Sequence, residues 1–168
     1  MPTGGFAVTD VSNAAADRRR PPPVRGDFVE FSAIQTRWTD NDLYGHVNNS
    51  VYYFYFDSEI NRYLIEFGGL DIHASPVIGV TAETTARFVA SFAYPDAVEV
   101  GLAVAELGAR SVRYHIGLFA PGEDSARVFG QFVHVFCDRL TMRPAAMPDR
   151  IRVALQRLMT PDGASPRA

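Results

Sequence analysis

The run Arg37-Trp38-Thr39-Asp40-Asn41-Asp42-Leu43-Tyr44-Gly45-His46-Val47-Asn48-Asn49 crowds two carboxylates, an imidazole, a glycine and three asparagines into one short stretch. A carboxylate beside a carbonyl carbon can attack it, or can take a proton from a water that does so. Asparagine caps helices, and the amides of a helix start carry the positive end of its dipole, where they can hold charge building on a carbonyl oxygen. Such a stretch can therefore both hold a carbonyl and attack it. The same residues also suit plainer work. Aspartate favours turns through bonds to nearby backbone. Gly45 fits a left-handed turn or the close approach of a ligand, and Asn48 and Asn49 fit as simple caps. Asp40 is expected to orient the turn by accepting bonds from backbone or from His46. If it lay close to Asp42, one carboxyl would have its pKa raised.

The elements that must position this stretch follow from periodicity. Phe28 to Arg37 alternates as a strand does. Asn48 to Phe67 has helical length, with Tyr52, Phe56, Ile60, Tyr63 and Phe67 three or four apart. Val51, Phe54, Tyr55 and Leu64 add apolar surface on its other sides, which predicts a largely enclosed helix, and Gly68-Gly69 stops it. Val77 to Val80 and Ala82 to Ala90 read as one bent strand or two. Ala97 to Leu107, Ser111 to Phe119 and Ala126 to Cys137 read as three more, separated by Tyr94-Pro95-Asp96, Gly108-Ala109 and the Pro121 to Asp124 turn. Asp149 to Met159, entered through Pro148, is a short amphipathic helix. Strand, long helix, then consecutive antiparallel strands define an α+β domain.

Composition narrows the chemistry. A chain of 168 residues with 47% hydrophobic content can bury one good core. The expected organisation is a disordered Pro- and Arg-rich tail over 1–26, one domain over 27–160 and a flexible tail over 161–168. Net charge is -3 and the one basic block, Arg18 to Arg20, lies among prolines, so no nucleic-acid footprint is present. All 16 basic residues are arginine, which excludes a lysine Schiff base and the lysine of a phosphate-binding loop. Cys137 is the lone cysteine, so no intrachain disulfide forms. His46, His73, His115 and His134 show no paired-ligand spacing, so no metal site is expected. With no leader-like start and no membrane-length apolar run, the expected location is cytoplasmic.

The block Arg37 to Asn49, followed by Tyr52, Tyr55 and Phe56, resembles the hotdog-fold acyl-CoA thioesterases of the 4-hydroxybenzoyl-CoA thioesterase family. The Tyr94-Pro95-Asp96 turn and the Gly108 to Ser111 hairpin extend the resemblance over Phe28 to Arg139. It implies a hotdog fold, a long buried helix wrapped by a curved antiparallel sheet of about five strands, assembled as a homodimer or homotetramer. It also implies an acyl-CoA substrate held in a groove along a subunit boundary, with coenzyme A as part of the substrate and no separate cofactor.

By the same resemblance Asp42 is the catalytic carboxylate, as nucleophile or as general base, and the backbone amide of Asn49 polarises the carbonyl. His46 bonds Asp42 or the thioester, or pins the loop. Gly45 and Tyr52 belong to the substrate wall, although Tyr52, Tyr53, Tyr55 and Phe56 suit core packing equally. Arg87, Arg110, Arg113 and Arg139 are candidates for the phosphates of coenzyme A. Asp57 and Glu59 are expected to face a partner or the pocket mouth. Glu59 is a reserve catalytic residue, since another hotdog subgroup uses a helix glutamate, and Asp40 is the second reserve. Two other readings remain: a hotdog hydratase or dehydratase, and a non-catalytic acyl-CoA or acyl-carrier binding module. Asp42 and His46 are four apart and Asp40 and His46 six, and neither matches the Asp-His spacing of the hotdog lyases.

Overall fold

The computed structural model describes residues 21–159. The tail expected over 1–26 lies outside the described residues up to position 20, and so does the one expected over 161–168. The elements are β1 (Glu30–Gln35), α1 (Asn49–Glu66), β2 (Val77–Phe88), β3 (Ala97–Leu107), β4 (Ser111–Phe119), β5 (Val128–Asp138) and α2 (Asp149–Gln156). The strands form one antiparallel sheet in the order β1-β3-β4-β5-β2. Because β1 and β2 are its opposite edges, the segment joining them must cross the sheet, and α1 is that segment. Register shifts between Val104 and Glu106 in β3 and between Thr81 and Glu83 in β2 mark bulges. These add twist and let the sheet curl around the helix. This is the hotdog architecture.

One face of α1 makes the core. Tyr52, Tyr55, Phe56, Glu59, Ile60, Tyr63 and Leu64 are buried at helical spacing. They pack on Val98, Val100 and Leu102 of β3, Tyr114, Ile116 and Leu118 of β4, and Phe132 and Phe136 of β5. Fully burying each large apolar side chain contributes roughly 1.5–3 kcal/mol. The helix expected to be largely enclosed keeps one side open within a single protomer: Phe54 is 64% exposed and Ile65 and Phe67 lie at the surface. The helix ends where Gly69, at φ 66°, turns the chain and the Leu70 amide reaches back to the Leu64 carbonyl. Helix α2 closes the far end of the core, with its Ala154 carbonyl accepting the Tyr63 hydroxyl at 2.9 Å.

The outer face of the sheet carries a second cluster of Phe28, Ala103, Phe119 and Ala126. Residues 21–26, which composition assigns to the tail, instead strap this cluster. Val24 bridges Ser125, the Ala126 amide donates to the Pro23 carbonyl, and the Arg25 guanidinium lies over the rings of Phe31 and Phe119. Paired glycines make this possible. A Cβ on Gly101 or Gly117, which face each other across β3 and β4, would meet the Phe28 ring at 2.8 and 2.6 Å.

Two polar groups are buried in the core with no hydrogen-bond partner among the described residues, the Tyr114 hydroxyl and Nδ1 of His134. Burial pushes the His134 imidazole down to about 4 from its ordinary 6.5. Between those values the unfolded chain binds a proton that the folded chain refuses. Stability contributed by the neutral ring is thus whole above pH 6.5 and falls by at most about 1.4 kcal/mol per pH unit on acidification. His134→Leu removes the titration, and urea unfolding at pH 7 and pH 5 is expected to show a flatter acid slope than wild type. An unchanged slope would mean that the ring takes up a proton in the folded state.

Candidate active site

The functional stretch folds as a tight hairpin that runs directly into α1. Asn41 and Val47 form a bridge, the Asp42 amide donates to the His46 carbonyl at 2.9 Å, and the Asn48 amide donates to the Asp40 carbonyl at 2.8 Å. The Gly45 amide closes the turn onto the Asp42 carbonyl at 3.1 Å. Gly45 has φ 82°, a left-handed conformation that by itself favours glycine here. The hairpin is fixed from behind by Phe92, whose carbonyl accepts the Val47 amide at 2.8 Å and whose amide donates to the Tyr52 hydroxyl at 3.1 Å.

Asp42 is half-buried on this hairpin. Its Oδ1 accepts the Tyr44 amide at 2.8 Å, and no donor among the described residues takes Oδ2. The turn-forming and the reactive readings of Asp42 are thereby compatible, one oxygen serving each. Six residues on, the N-cap of α1 shares its burdens unevenly. Oδ1 of Asn48 accepts the Ser50 amide, and the Val51 amide donates to the Asn48 carbonyl. The Asn49 amide, the first of the helix, has no acceptor among the described residues. His46 contributes its backbone carbonyl to the hairpin while its imidazole is exposed, without a bond to Asp42.

Asp40 braces the turn by accepting a backbone amide, one of the two expected partners, and side chains of Arg37 and Tyr55 in place of His46. Oδ2 accepts the Arg37 amide and the Tyr55 hydroxyl, each at 2.7 Å, and Oδ1 faces the Arg37 guanidinium at 2.9–3.0 Å. Burial works to raise its pKa, but the bonds from Tyr55 and Arg37 override it and hold the carboxyl below the ordinary 3.8. That stabilisation is present above pH 3.8 and is lost as pH falls through the depressed value. Asp40→Ala strands the Tyr55 hydroxyl in the core. It is expected to cost about 3 kcal/mol in urea unfolding at pH 7; a loss under about 1 kcal/mol would show the bonds to be replaceable by water.

Glu59 is buried, but its carboxylate receives the Ser32 hydroxyl and both faces of the Arg62 fork, the latter at 2.6 and 2.9 Å. It ties α1 to β1 and so faces the sheet edge of its own protomer. Ten residues of helix, about 15 Å, separate it from Asn49. Tyr52 lies beside the hairpin, with its ring against Phe88 and Phe92. Burial raises its pKa, the Phe92 amide opposes this, and the Asp42 charge adds to the rise.

The arginines fall elsewhere. Arg113 donates to Gln131 at 3.0 Å and sits near Glu106 and Glu83. Arg110 is exposed at the β3–β4 turn. Both lie at the end of β4 opposite Leu118, which is near the hairpin, and five residues of strand span about 17 Å. Arg139 clamps the Asp71 to Ser75 loop through its carbonyls. Arg87 stacks on Phe129 on the outer face, where it lines a cavity of about 670 Å³ together with Thr85, His115 and Gln131. Asp42, His46 and Asn49 do not line that cavity. Among the described residues no three His, Cys, Asp or Glu side chains cluster closely enough to hold a metal ion, and no helix is long and apolar enough to cross a membrane.

Phe92, which holds the hairpin from behind, was missed by sequence reading, and no local signal marks it. The pairing of Arg37 with Asp40 was findable, since an arginine three residues before an aspartate matches the observed turn.

The fold agrees with the comparisons. Residues 36–155 match the model of the Thioesterase-like superfamily, and the chain belongs to that family of thioester hydrolases. Among solved structures it is similar to the PA5185 protein from Pseudomonas aeruginosa, with 47% identity and a TM-score of 0.82 over 84% of this chain and 99% of that one. It is also similar to the hypothetical protein TT1821 from Thermus thermophilus, with 27% identity and a TM-score of 0.67 over 76% and 98%. Slr0204 from Synechocystis, a 1,4-dihydroxy-2-naphthoyl-CoA thioesterase, shares the fold at 15% identity, with a TM-score of 0.68 over 75% and 94%. A comparison with curated proteins returned no match.

Proposed function

We propose that this thioester hydrolase cleaves acyl-CoA to a free acid and coenzyme A, with Asp42 Oδ2 as the attacking or proton-accepting oxygen and the Asn49 amide as the oxyanion donor. The observation that carries this reading is the pairing, on one short hairpin, of a carboxylate with one oxygen left open and a first helix amide left unbonded. In one route Oδ2 attacks the thioester carbon, the thiolate of coenzyme A leaves, and water opens the resulting anhydride. In the other Oδ2 takes a proton from water, which attacks the same carbon. Either route puts negative charge on the carbonyl oxygen, where a helix-terminal amide stabilises it. The reaction consumes only substrate and water, so it needs no cofactor. Coenzyme A as the thiol carrier is supported by the chemistry named for a fold relative.

The working unit in this reading is a homodimer or homotetramer. Edge strand β2 is exposed from Thr81 to Thr85, and Phe54, Phe88 and Val89 are exposed apolar side chains that a second copy would cover. A groove completed by that copy also accounts for phosphate-binding arginines lying away from Asp42 within one chain. The test is thiol release from a panel of aromatic, short-chain and long-chain acyl-CoAs. Turnover of at least one class supports the proposal. Binding without turnover would replace it with a binding module, and water addition to an enoyl-CoA would replace it with a lyase.

A further inference from the structure

We infer that Arg127 is a positioning residue for the Asp42 hairpin, acting through Ser91 and Phe92; the inference rests on the proposed role of Asp42. The segment joining β2 to β3 runs behind the hairpin, and Phe92 is its point of contact on both sides. Its carbonyl holds Val47 at one end of the hairpin and its amide holds Tyr52 in the first turn of α1. The spacing between the Asp42 arm and the start of the helix therefore follows the placement of Phe92.

Arg127 is what holds that segment from the sheet side. Its backbone carbonyl accepts the Val89 and Ala90 amides at 2.8 and 3.1 Å, and its own amide donates to Leu118. Nη1 donates to the Ser91 carbonyl at 3.2 Å, and the guanidinium lies 5.1 Å from the centre of the Phe92 ring. The fork is steadied from the other side by both carboxylate oxygens of Glu123 at 2.5 and 2.8 Å. A flat, permanently charged group with five donors can make all these contacts together, whereas an ammonium cannot. Phe92 is buried and Arg127 makes no contact with Asp42, so its influence on the chemistry is one of geometry.

A misplacement of about 1 Å at a reacting group can lower rates a hundredfold. Arg127→Leu is accordingly expected to lower kcat at least about tenfold with KM within about twofold of wild type. Arg127→Lys, which keeps charge but loses the fork, is expected to recover less than half of that loss. Arg152 supplies the control: it donates to the Gly108 and Ala109 carbonyls at the opposite end of the sheet. Arg152→Leu is expected to lower Tm and leave kcat unchanged. Combining Arg127→Leu with Tyr52→Phe, which removes the hydroxyl that accepts the Phe92 amide, is expected to cost less in kcat than the product of the two single losses. A kcat within twofold of wild type in both Arg127 variants overturns the inference, as does full multiplicativity with Tyr52→Phe. Asp42→Asn, run alongside, separates the two levels. Activity retained by Asp42→Asn rejects the proposed role of Asp42, whereas inactive Asp42→Asn with fully active Arg127 variants rejects only the positioning role.

Discussion

Asp42→Asn is expected to lower kcat for thioester hydrolysis about a thousandfold while leaving fold and substrate binding near wild type. The substitution is close to isosteric. The side-chain oxygen still accepts the Tyr44 amide that Oδ1 holds at 2.8 Å, so the turn closed by Gly45 persists. What changes is the second oxygen, which becomes an amide nitrogen that can neither attack a carbonyl nor accept a proton from water. An interaction made only at the transition state lowers kcat and kcat/KM together and spares KM. Steady-state thiol release and a thermal melt therefore test the claim jointly. A variant that keeps more than a tenth of wild-type kcat would sink the assignment. Rapid-quench measurement on the wild type then separates the routes. A stoichiometric burst of coenzyme A ahead of free acid marks an anhydride, and simultaneous release marks attack by water.

Much of this architecture was legible because local signals agreed with the global fold. Ala97–Leu107 and Ser111–Phe119 form strands at the expected bounds, set off by Gly108-Ala109 and the Pro121 to Asp124 turn. The stripe from Tyr52 to Tyr63, with Asn48 as cap and Gly68-Gly69 as stop, needed no tertiary help to read as a helix. Asp42, Gly45 and Asn49 were legible as a group because seven residues of hairpin hold them together. Illegible features depend on distant partners. Asp40 gains its role from Tyr55, fifteen positions on, and Arg127 from Ser91, thirty-six positions back. Residues 21–26 look like tail by composition and are held by contacts with Asp124, Ser125 and Phe119, which composition does not record.

Strand arginines meet a different limit. Alternation places Arg87 and Phe88 on opposite faces, and Phe88 is the one that packs on Tyr52. A sequence shows the alternation but not which face meets the Asp42 hairpin. The same limit explains Glu59, whose charge on an apolar helix looked functional. Its buried carboxylate is consumed by Arg62 and Ser32, a pairing across elements that sets the helix against β1.

Removing the Asn49 amide is expected to be nearly as damaging as removing the Asp42 charge, and proline is the residue that can do it. Position 49 is the first of α1, where proline is well tolerated because the missing N–H has no intrahelical partner. The preceding Asn48 already has φ -59° and ψ 138°, the extended conformation that a following proline demands. The cap from Asn48 to Ser50 is untouched. Asn49→Pro should thus melt near wild type yet lose about 3–4 kcal/mol of transition-state stabilisation, a few hundredfold in kcat. Asn49→Ala keeps the amide and is expected to stay within about twofold. Proline also brings a Cδ to the place of the hydrogen, so obstruction must be separated from loss of the donor. A backbone ester at the same position, made by semisynthesis, deletes the N–H without adding bulk. If the ester variant turns over at the wild-type rate, the oxyanion is held by some other group, and a rise in KM seen with proline alone would be steric.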